Sequence, residues 1–356
     1  MKYNRIESIG FLALILILYL YLFRNVIKEK MTTISKKNKK YYFGVIGYFK
    51  NERHILNEWI LHYKTWGVDH IWLIDNGSED NYDISEFVNN GFVTVINEPK
   101  NGQNSSYHKH IKNIMKDVKW LGVFDLDEFL YSRENNNLKE ILKQKFDNKK
   151  SPAMIRIQMT IFFPATFESC NSIIEKNILR RNYDSPNHPK CIYNLDEFEK
   201  EETLRKFDFI HGNSINKTSH FIKADDSLLC INHYRYGSME YIFGIKEGRG
   251  GGVNKKKYKQ IEILKSLDDK FLSNDTYLRD NSFDVIKKSK LKFNKPSIDL
   301  YPDTSWQILK KKHKDKYQKF KEYETNSKDK ILTFEKIYEI SNYIQKIDCE
   351  AIDSIV

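Results

Sequence analysis

The chain has 356 residues, 40% of them hydrophobic and 14% aromatic, which is ample material for a packed core and excludes wholesale disorder. That length suits one enzyme-sized domain, or a catalytic domain with a modest C-terminal addition. The formal charge of +11 arises from 59 basic and 48 acidic residues, but much of the excess stands in short tracts (Lys36, Lys37, Lys39 and Lys40; Lys310, Lys311 and Lys312), and with no zinc, homeodomain or RNA-recognition signature beside it no nucleic-acid partner is expected.

In chain order, a tail (residues 1–8) leads into Ile9 to Phe23, IGFLALILILYLYLF, an uncharged run flanked by Lys2 and Arg5 before it and by Arg24, Lys28 and Lys30 after it. As a helix it would be about 22 Å long, short for a hydrocarbon core of ~30 Å unless Arg24 snorkels and Val26 and Ile27 extend it. A transmembrane anchor is therefore expected over residues 9–27, followed by a basic polar stem over 28–40. No small-residue cleavage site follows the run, which favours an anchor over a cleaved signal peptide. Lys and Arg are more numerous after the segment than before it, which argues for a cytoplasmic catalytic domain. Sequons at Asn76, Asn104, Asn216 and Asn274 would be usable in a lumen, so the side stays open.

The folded domain is expected over residues 41–296. Tyr41 to Phe49 (YYFGVIGYF) suits a strand buried on both faces. Ile55, Leu56, Trp59, Ile60, Tyr63 and Trp66 then recur at helical spacing, with Gly67 in the place of a C-cap. His70 to Asp75 (HIWLID) is a second strand, ending in the polar turn NGSED. Phe92 to Ile96 and Trp120 to Asp125 continue the strands, around a helix in which Ile111, Ile114, Met115 and Val118 share a face. The order β-α-β-α-β-α-β predicts an α/β fold, a mainly parallel sheet flanked by helices, whose ligands bind beyond the carboxyl ends of the strands.

Met154 to Phe163 alternates, with Ile155, Ile157, Met159 and Ile161 against Arg156, Gln158 and Thr160, as a half-exposed or edge strand extending the sheet. Beyond Gly252 the chain turns Lys-rich and helical, Pro296 and Pro302 interrupt it, and residues 297–356 are expected as a helical C-terminal extension. Cys170, Cys191, Cys230 and Cys349 lack CxxC spacing, which excludes a zinc ribbon and leaves both two disulfides and four free thiols open.

The sharpest chemical feature is FDLDEFL, in which Asp125, Asp127 and Glu128 follow the apolar run WLGVF. Carboxylates at i and i+2 of an extended segment project the same way, about 6.6 Å apart along the chain, so one hard cation fits between Asp125 and Asp127. Magnesium (Mg2+) or manganese (Mn2+) there would bridge to a diphosphate and stabilise the charge of a departing nucleoside diphosphate. Solvation at the sheet edge or helix capping are the bland alternatives. Asn51 and Glu52 after the first strand and Asp75 after the second fall on the same edge. Asp75 would accept hydrogen bonds from a base or ribose, with Asn51 and Glu52 on the nucleoside, unless Asn51 is a helix N-cap and NGSED an Asx-rich turn.

These residues resemble glycosyltransferases of the GT-A fold, in the family 2-like branch that includes family 92. That pattern has a first strand ending in K-N-E, then E-W-hydrophobic before a G-V-hydrophobic strand, then D-N-x-S-x-D, and later D-hydrophobic-D-E-F. Here stand Lys50-Asn51-Glu52, Glu58-Trp59-Ile60, Gly67-Val68, Asp75-Asn76-Gly77-Ser78-Glu79-Asp80 and Asp125-Leu126-Asp127-Glu128-Phe129. INHYRYGSMEYIFGIKEGRG is similar to a further family segment, with Asn232, His233, Tyr234, Ser238, Glu240, Lys246, Arg249 and Gly250 in the matching places. The resemblance implies a Rossmann-like GT-A fold, a nucleotide-sugar donor such as a UDP-sugar, and a glycan or glycoprotein acceptor. By that likeness Asp80 joins Asp75 on the donor, His233 is a third metal ligand or a diphosphate contact, and Lys246 and Arg249 face the donor phosphates. Gly250, Gly251 and Gly252 suit a loop closing over the donor. The resemblance spans roughly residues 41 to 285 and departs at QMTIFFPATFES, where family members often carry a Gly-containing aromatic segment near the acceptor.

The expected chemistry is a metal-dependent, inverting transfer. The donor rests on Asn51, Glu52 and Asp75 with its diphosphate on the Asp125/Asp127 metal, and a carboxylate takes the acceptor hydroxyl's proton as that oxygen attacks C1 from the opposite face. Inversion follows from the likeness alone. Glu168 is the expected base, with Asp208 and His211 as rivals. Two other readings stay open. A non-catalytic, membrane-tethered sugar- or nucleotide-binding protein is disfavoured by acids at all three strand ends. A metal-dependent nucleotidyltransferase is disfavoured because no Gly-rich phosphate loop follows the first strand.

Overall fold

The run Tyr41–Phe49 forms strand β1, buried from Phe43 to Gly47, as a strand covered on both faces must be. It belongs to a computed structural model that describes residues 19–21, 23–24, 39–148, 151–169, 172–181, 189–198, 208–211, 221–225, 228–249, 272–289, 294–326 and 332–353. Met1–Lys40 and Tyr41–Val356 are separate compact units. In the first, residues 19–21, 23 and 24 are helical, and the rings of Tyr19 and Phe23 stack at 5.8 Å. No described helix is long and apolar enough to cross a membrane. Most of the run expected as an anchor lies outside the described residues, as do Cys170, the sequon at Asn216, and Gly250, Gly251 and Gly252.

In the second unit β1 pairs in parallel with His70–Asp75 (β2) and with Val118–Val123 (β4), and β2 pairs in parallel with Val93–Asn97 (β3). Helices Arg53–Thr65 (α1), Ser85–Asn89 (α2) and Gln103–Ile114 (α3) connect them, which is the β-α order that the apolar periodicity predicts. Gly67 follows α1 with φ +83°, a conformation that relieves the helix end without a Cβ. One boundary differs from expectation. The third helix stops at Ile114, because Asp117 N–H closes a turn on Ile114 O at 2.8 Å, and Val118 opens β4 instead of joining the helical face.

Beyond β4 come Lys190–Asn194 (β9), Met154–Ile157 (β6) and Phe221–Lys223 (β10), giving a seven-stranded sheet of order β10-β6-β9-β4-β1-β2-β3. Strand β9 runs antiparallel to both neighbours, so the sheet is mainly but not wholly parallel. The alternating segment Met154 to Phe163 is not one strand. It breaks at Gln158 into β6 and Met159–Ile161 (β7), and β7 joins a three-stranded sheet with Glu128–Tyr131 (β5) and Cys230–His233 (β11). The alternation survives the break: Ile155, Ile157, Met159 and Ile161 are buried, while Arg156, Gln158 and Thr160 are half-buried. Leu179–Arg181 (β8) and Leu272–Asn274 (β12) form a small antiparallel ladder.

The core has three parts. Phe43, Val45, Trp59, Ile60, Tyr63 and Leu73 pack α1 onto one face of the large sheet, and Ile46, Trp72, Ile74, Tyr107 and Ile111 pack α3 onto the other. The third gathers described residues of the C-terminal stretch, 297–326 and 332–353. Trp306, Leu309, Phe320, Ile337, Ile340 and Ile344 pack against Phe163, Phe167, Tyr241 and Ile245, so this stretch backs the main body rather than trailing from it. Cys191 is a buried free thiol.

Candidate active site

The acids of FDLDEFL are held by α1. Trp59 Nε1–H donates to the carbonyls of both Asp125 and Glu128 at 3.0 Å, Tyr63 OH donates to Glu128 O at 3.0 Å, and His62 Nε2–H donates to Leu130 O at 2.7 Å. The residues that supply the apolar face of the helix therefore also clamp the backbone after β4. Gly47 makes room for this, since a Cβ there would stand 3.1 Å from the Trp59 ring. The strand ends at Val123, and Glu128 N–H returns to Asp125 O at 3.0 Å, so Asp125 and Asp127 lie in a turn. This corrects the extended geometry expected of them: the two carboxylates do not project side by side.

Asp125 accepts from Gln103 Nε2 at 2.7 Å and from Lys190 Nζ at 2.8 Å. Lys190 is buried and also lies 3.2 Å from Glu128 Oε2. Asp127 faces the other way, 2.8 Å from Lys246 Nζ and 3.4 Å from His233 Nε2, while Lys246 donates a second bond to Arg235 O. Burial works against ionisation of all three acids, but the outcome differs with the partners. Lys190 outweighs burial at Asp125, and Lys246 with His233 outweighs it at Asp127, so both carboxyls sit below the usual range. At Glu128 burial wins over Lys190, and the charges of Asp125 and Asp127 add to it, so its carboxyl is pushed well above that range.

Oxygen and nitrogen atoms of Asp127, Glu128 and His233 lie within 4.8 Å of one another. Glu128 Oε1 and His233 Nδ1 are buried without a hydrogen-bond partner. Two carboxylates and an imidazole with ligand atoms to spare fit a divalent ion such as Mn2+. Asp125, expected as a ligand, is not among these three: its oxygens meet Gln103 and Lys190, and Glu128 is the acid that stands beside Asp127 and His233. His233 reaches the trio through the cross-strand pairing of β11 with β5, which sets it opposite Glu128.

The expected donor residues share the same edge, since Phe49 at the end of β1 pairs with Asp75 at the end of β2. Asn51 is left-handed, φ +54°, a conformation Asn tolerates through local bonds. Its N–H donates to Ser78 Oγ at 3.0 Å, its Oδ1 accepts Glu79 N–H at 2.7 Å, and its Nδ2 donates to Tyr301 OH at 2.6 Å. Asp75 accepts Ser78 N–H and Tyr82 OH, both at 2.8 Å, one on each oxygen. Asp80 accepts Arg53 N–H at 2.8 Å and so caps α1, the task that Asn51 was an alternative for. Glu52 is taken by Arg249 at 2.7 Å and by Tyr241 OH at 2.9 Å. Lys246 is the last residue of a π-helical turn, Tyr241–Lys246, of the kind that concentrates at functional sites, and Arg249 follows three residues later.

Against this geometry, the sequence profile of glycosyltransferase family 92 matches residues 42–276, more than half of the chain. The chain belongs to glycosyltransferase family 92. A family 92 protein of Ricinus communis is 22% identical over 201 residues, 52% of this chain and 34% of that protein. One of Oryza sativa subsp. japonica is 23% identical over 227 residues, 60% of this chain and 36% of that protein. The matched stretch thus spans about a third of the length of these relatives. Among solved structures, S. aureus TarS 1-349 is 16% identical and covers 53% of this chain and 60% of that one, with a TM-score of 0.32. GalNAc-T7 with UDP, GalNAc and Mn2+ is 10% identical and covers 72% and 59%, with a TM-score of 0.34. Scores this low carry no argument, and the family rests on the sequence profile.

The family segments meet in space. K-N-E, E-W, D-N-x-S-x-D and D-L-D-E-F converge on the carboxyl edge of β1, β2 and β4. Glu58 of E-W points away from the acids, accepting Ser172 Oγ at 2.5 Å and Ile173 N–H at 2.8 Å, and burial pushes its carboxyl up to about 7 against those bonds. Glu168, expected as the base, is engaged elsewhere: it accepts from Tyr317 OH and lies 3.1 Å from Lys321. Burial would raise its carboxyl, but those two partners hold it below the usual range, which makes it a poor proton acceptor. Asp208 accepts the N–H groups of Ile210 and His211 at 3.0 and 3.4 Å and shapes their turn. The sequence motifs do not point to Lys190 and Gln103, which hold Asp125, to Tyr301, which meets Asn51, or to the place of Glu128 beside His233. A Lys heading the buried strand KCIYN is the signal for Lys190; Gln103 and Tyr301 carry none.

Proposed function

We propose that this family 92 chain moves a sugar from a nucleoside-diphosphate sugar, a UDP-sugar in the first instance, to a hydroxyl of a glycan or glycoprotein, in an inverting reaction that needs Mn2+ or Mg2+. The observation that carries the proposal is the Asp127, Glu128 and His233 trio, with two of its ligand atoms buried and unpartnered beside the ends of parallel strands. These three residues would hold the ion, which supplies a Lewis acid for the charge on the departing diphosphate. Lys190 and Gln103 orient Asp125 at the neck of the same turn. Lys246, freed from Asp127, and Arg249 at Glu52 bring positive charge to the diphosphate side. The turn of Asn51, Ser78 and Asp75 serves the nucleoside, since each Asp75 oxygen keeps a lone pair beyond the bond it accepts. The uncharged run Ile9 to Phe23 serves as a membrane anchor.

The test is a panel of nucleotide sugars incubated with the chain, Mn2+ and candidate acceptors, reading nucleoside diphosphate. One donor is expected to yield diphosphate, with release abolished by EDTA and restored by Mn2+. Release that ignores EDTA removes the metal from the proposal. Pyrophosphate in place of diphosphate marks nucleotidyl transfer, and no release from any donor leaves a binding protein. Protease protection of tagged membranes reads the side on which the domain lies.

A further inference from the structure

The three-stranded sheet carries a polar cavity, of about 680 Å³, that the transfer chemistry does not use. It lies where Tyr131 of β5 stands opposite Cys230 of β11, at the far end of the strand pair whose other end holds Glu128 and His233. The two ends are three residue steps apart, about 10 Å, and side-chain alternation puts the two residue pairs on opposite faces of the sheet.

Its lining differs in kind from the acid cluster. Arg133 and Arg180 both reach Asp275, at 2.6 and 3.1 Å, and with Asp280 beside them the charges cancel. The rings of Tyr131 and Tyr277 stack at 5.5 Å, and the Arg133 guanidinium lies 4.6 Å above Tyr277. Tyr277 is fixed in place, its hydroxyl donating to Ser132 O at 3.2 Å and its N–H to Asp275 at 3.0 Å. Into this frame Gln158 brings a buried amide oxygen without a hydrogen-bond partner, and Asn274 stands exposed at the rim.

An anionic ligand would have to break the Arg–Asp275 pairs, and an apolar one would strand the amide and the guanidinium groups without water. A neutral polyhydroxylated ligand does neither. Its hydroxyls donate to Gln158 and Asp280 and accept from guanidinium and amide N–H groups. The volume is in the range that buries a ligand of two or three sugar residues. We infer that this cavity is a saccharide subsite for a neutral oligosaccharide, which holds the acceptor glycan away from the transfer centre. The affinity stands on the cavity alone; only its service to the acceptor rests on the transferase reading.

The full chain, without donor or metal, is titrated calorimetrically with cellotetraose, chitotetraose, β-1,4-galactotetraose and α-mannotetraose, and separately with inorganic phosphate and tetragalacturonate. At least one neutral tetrasaccharide is expected to bind, and Gln158→Ala/Asn274→Ala is expected to weaken that binding by about tenfold, as one or two lost hydrogen bonds should. If the double variant does not melt like the parent, exposed Asn274→Ala alone is used, with a smaller loss expected. The inference is overturned if no neutral tetrasaccharide binds, if phosphate or tetragalacturonate binds in preference, or if the folded variant binds as the parent does. Diphosphate release from a donor can persist under each of these results, so failure of the subsite and failure of the transferase reading are told apart.

Discussion

The strand pair β5/β11 has two unlike ends. At the Glu128/His233 end, three carboxylates, Asp125, Asp127 and Glu128, meet two ammonium groups, Lys190 and Lys246, and the side chains other than Asp125 are at most 11% exposed. At the Tyr131/Cys230 end, Arg133 and Arg180 share Asp275, and Arg133 remains 37% exposed. Charges that water cannot reach must be met by partners, and with two ammonium groups for three acids it is Glu128 that stays protonated. Balanced charges near water keep a place for a ligand that is polar without being charged.

The largest effect is expected from Asp127→Asn, which keeps an acceptor for Lys246 but removes the charge. Donor turnover should fall by about a thousandfold with far-UV circular dichroism unchanged, and parent-like turnover would break the assignment of this end to chemistry. Next comes Lys190→Met. It leaves half-buried Asp125 and buried Glu128 without their cation and should cost about 3 kcal/mol in urea unfolding; a loss under ~1 kcal/mol would mean that burial does not govern the charges here. His233→Gln should weaken Mn2+ binding, followed by electron paramagnetic resonance, by about ten- to a hundredfold, and unaltered binding would remove it from the trio. The smallest effect belongs to the other end. Arg133→Met should cost about 1 kcal/mol or less, because Asp275 keeps Arg180 and solvent screens the exposed pair; a loss as large as that of Lys190→Met would make the two ends alike.

Much of the parallel half was legible beforehand. The strands Tyr41–Phe49 and His70–Asp75 stand where their apolar runs placed them, and Gly67 ends the helix between them. The errors came where one local pattern fits two structures. Val118 matches a helical face by spacing yet opens a strand, and the alternation from Met154 to Phe163 is the same whether its strand belongs to one sheet or is divided between two. Glu168 is a separate case: following a strand says nothing of the helix that packs over it, whose Tyr317 and Lys321, about 150 residues further on, meet its carboxylate.

By itself the sequence determined the order of the elements, the edge at which the polar residues collect, and the family, because apolar periodicity and short ordered motifs are properties of neighbouring residues. Only the tertiary structure decided which cation each acid meets. Lys190 lies 65 residues from Asp125 and Lys246 lies 119 from Asp127, and pairs so distant are chosen by how strands and helices pack. The same packing set His233 beside Glu128 across two strands and left Asp125 outside the trio, since a buried charge takes the partner that the fold brings within reach.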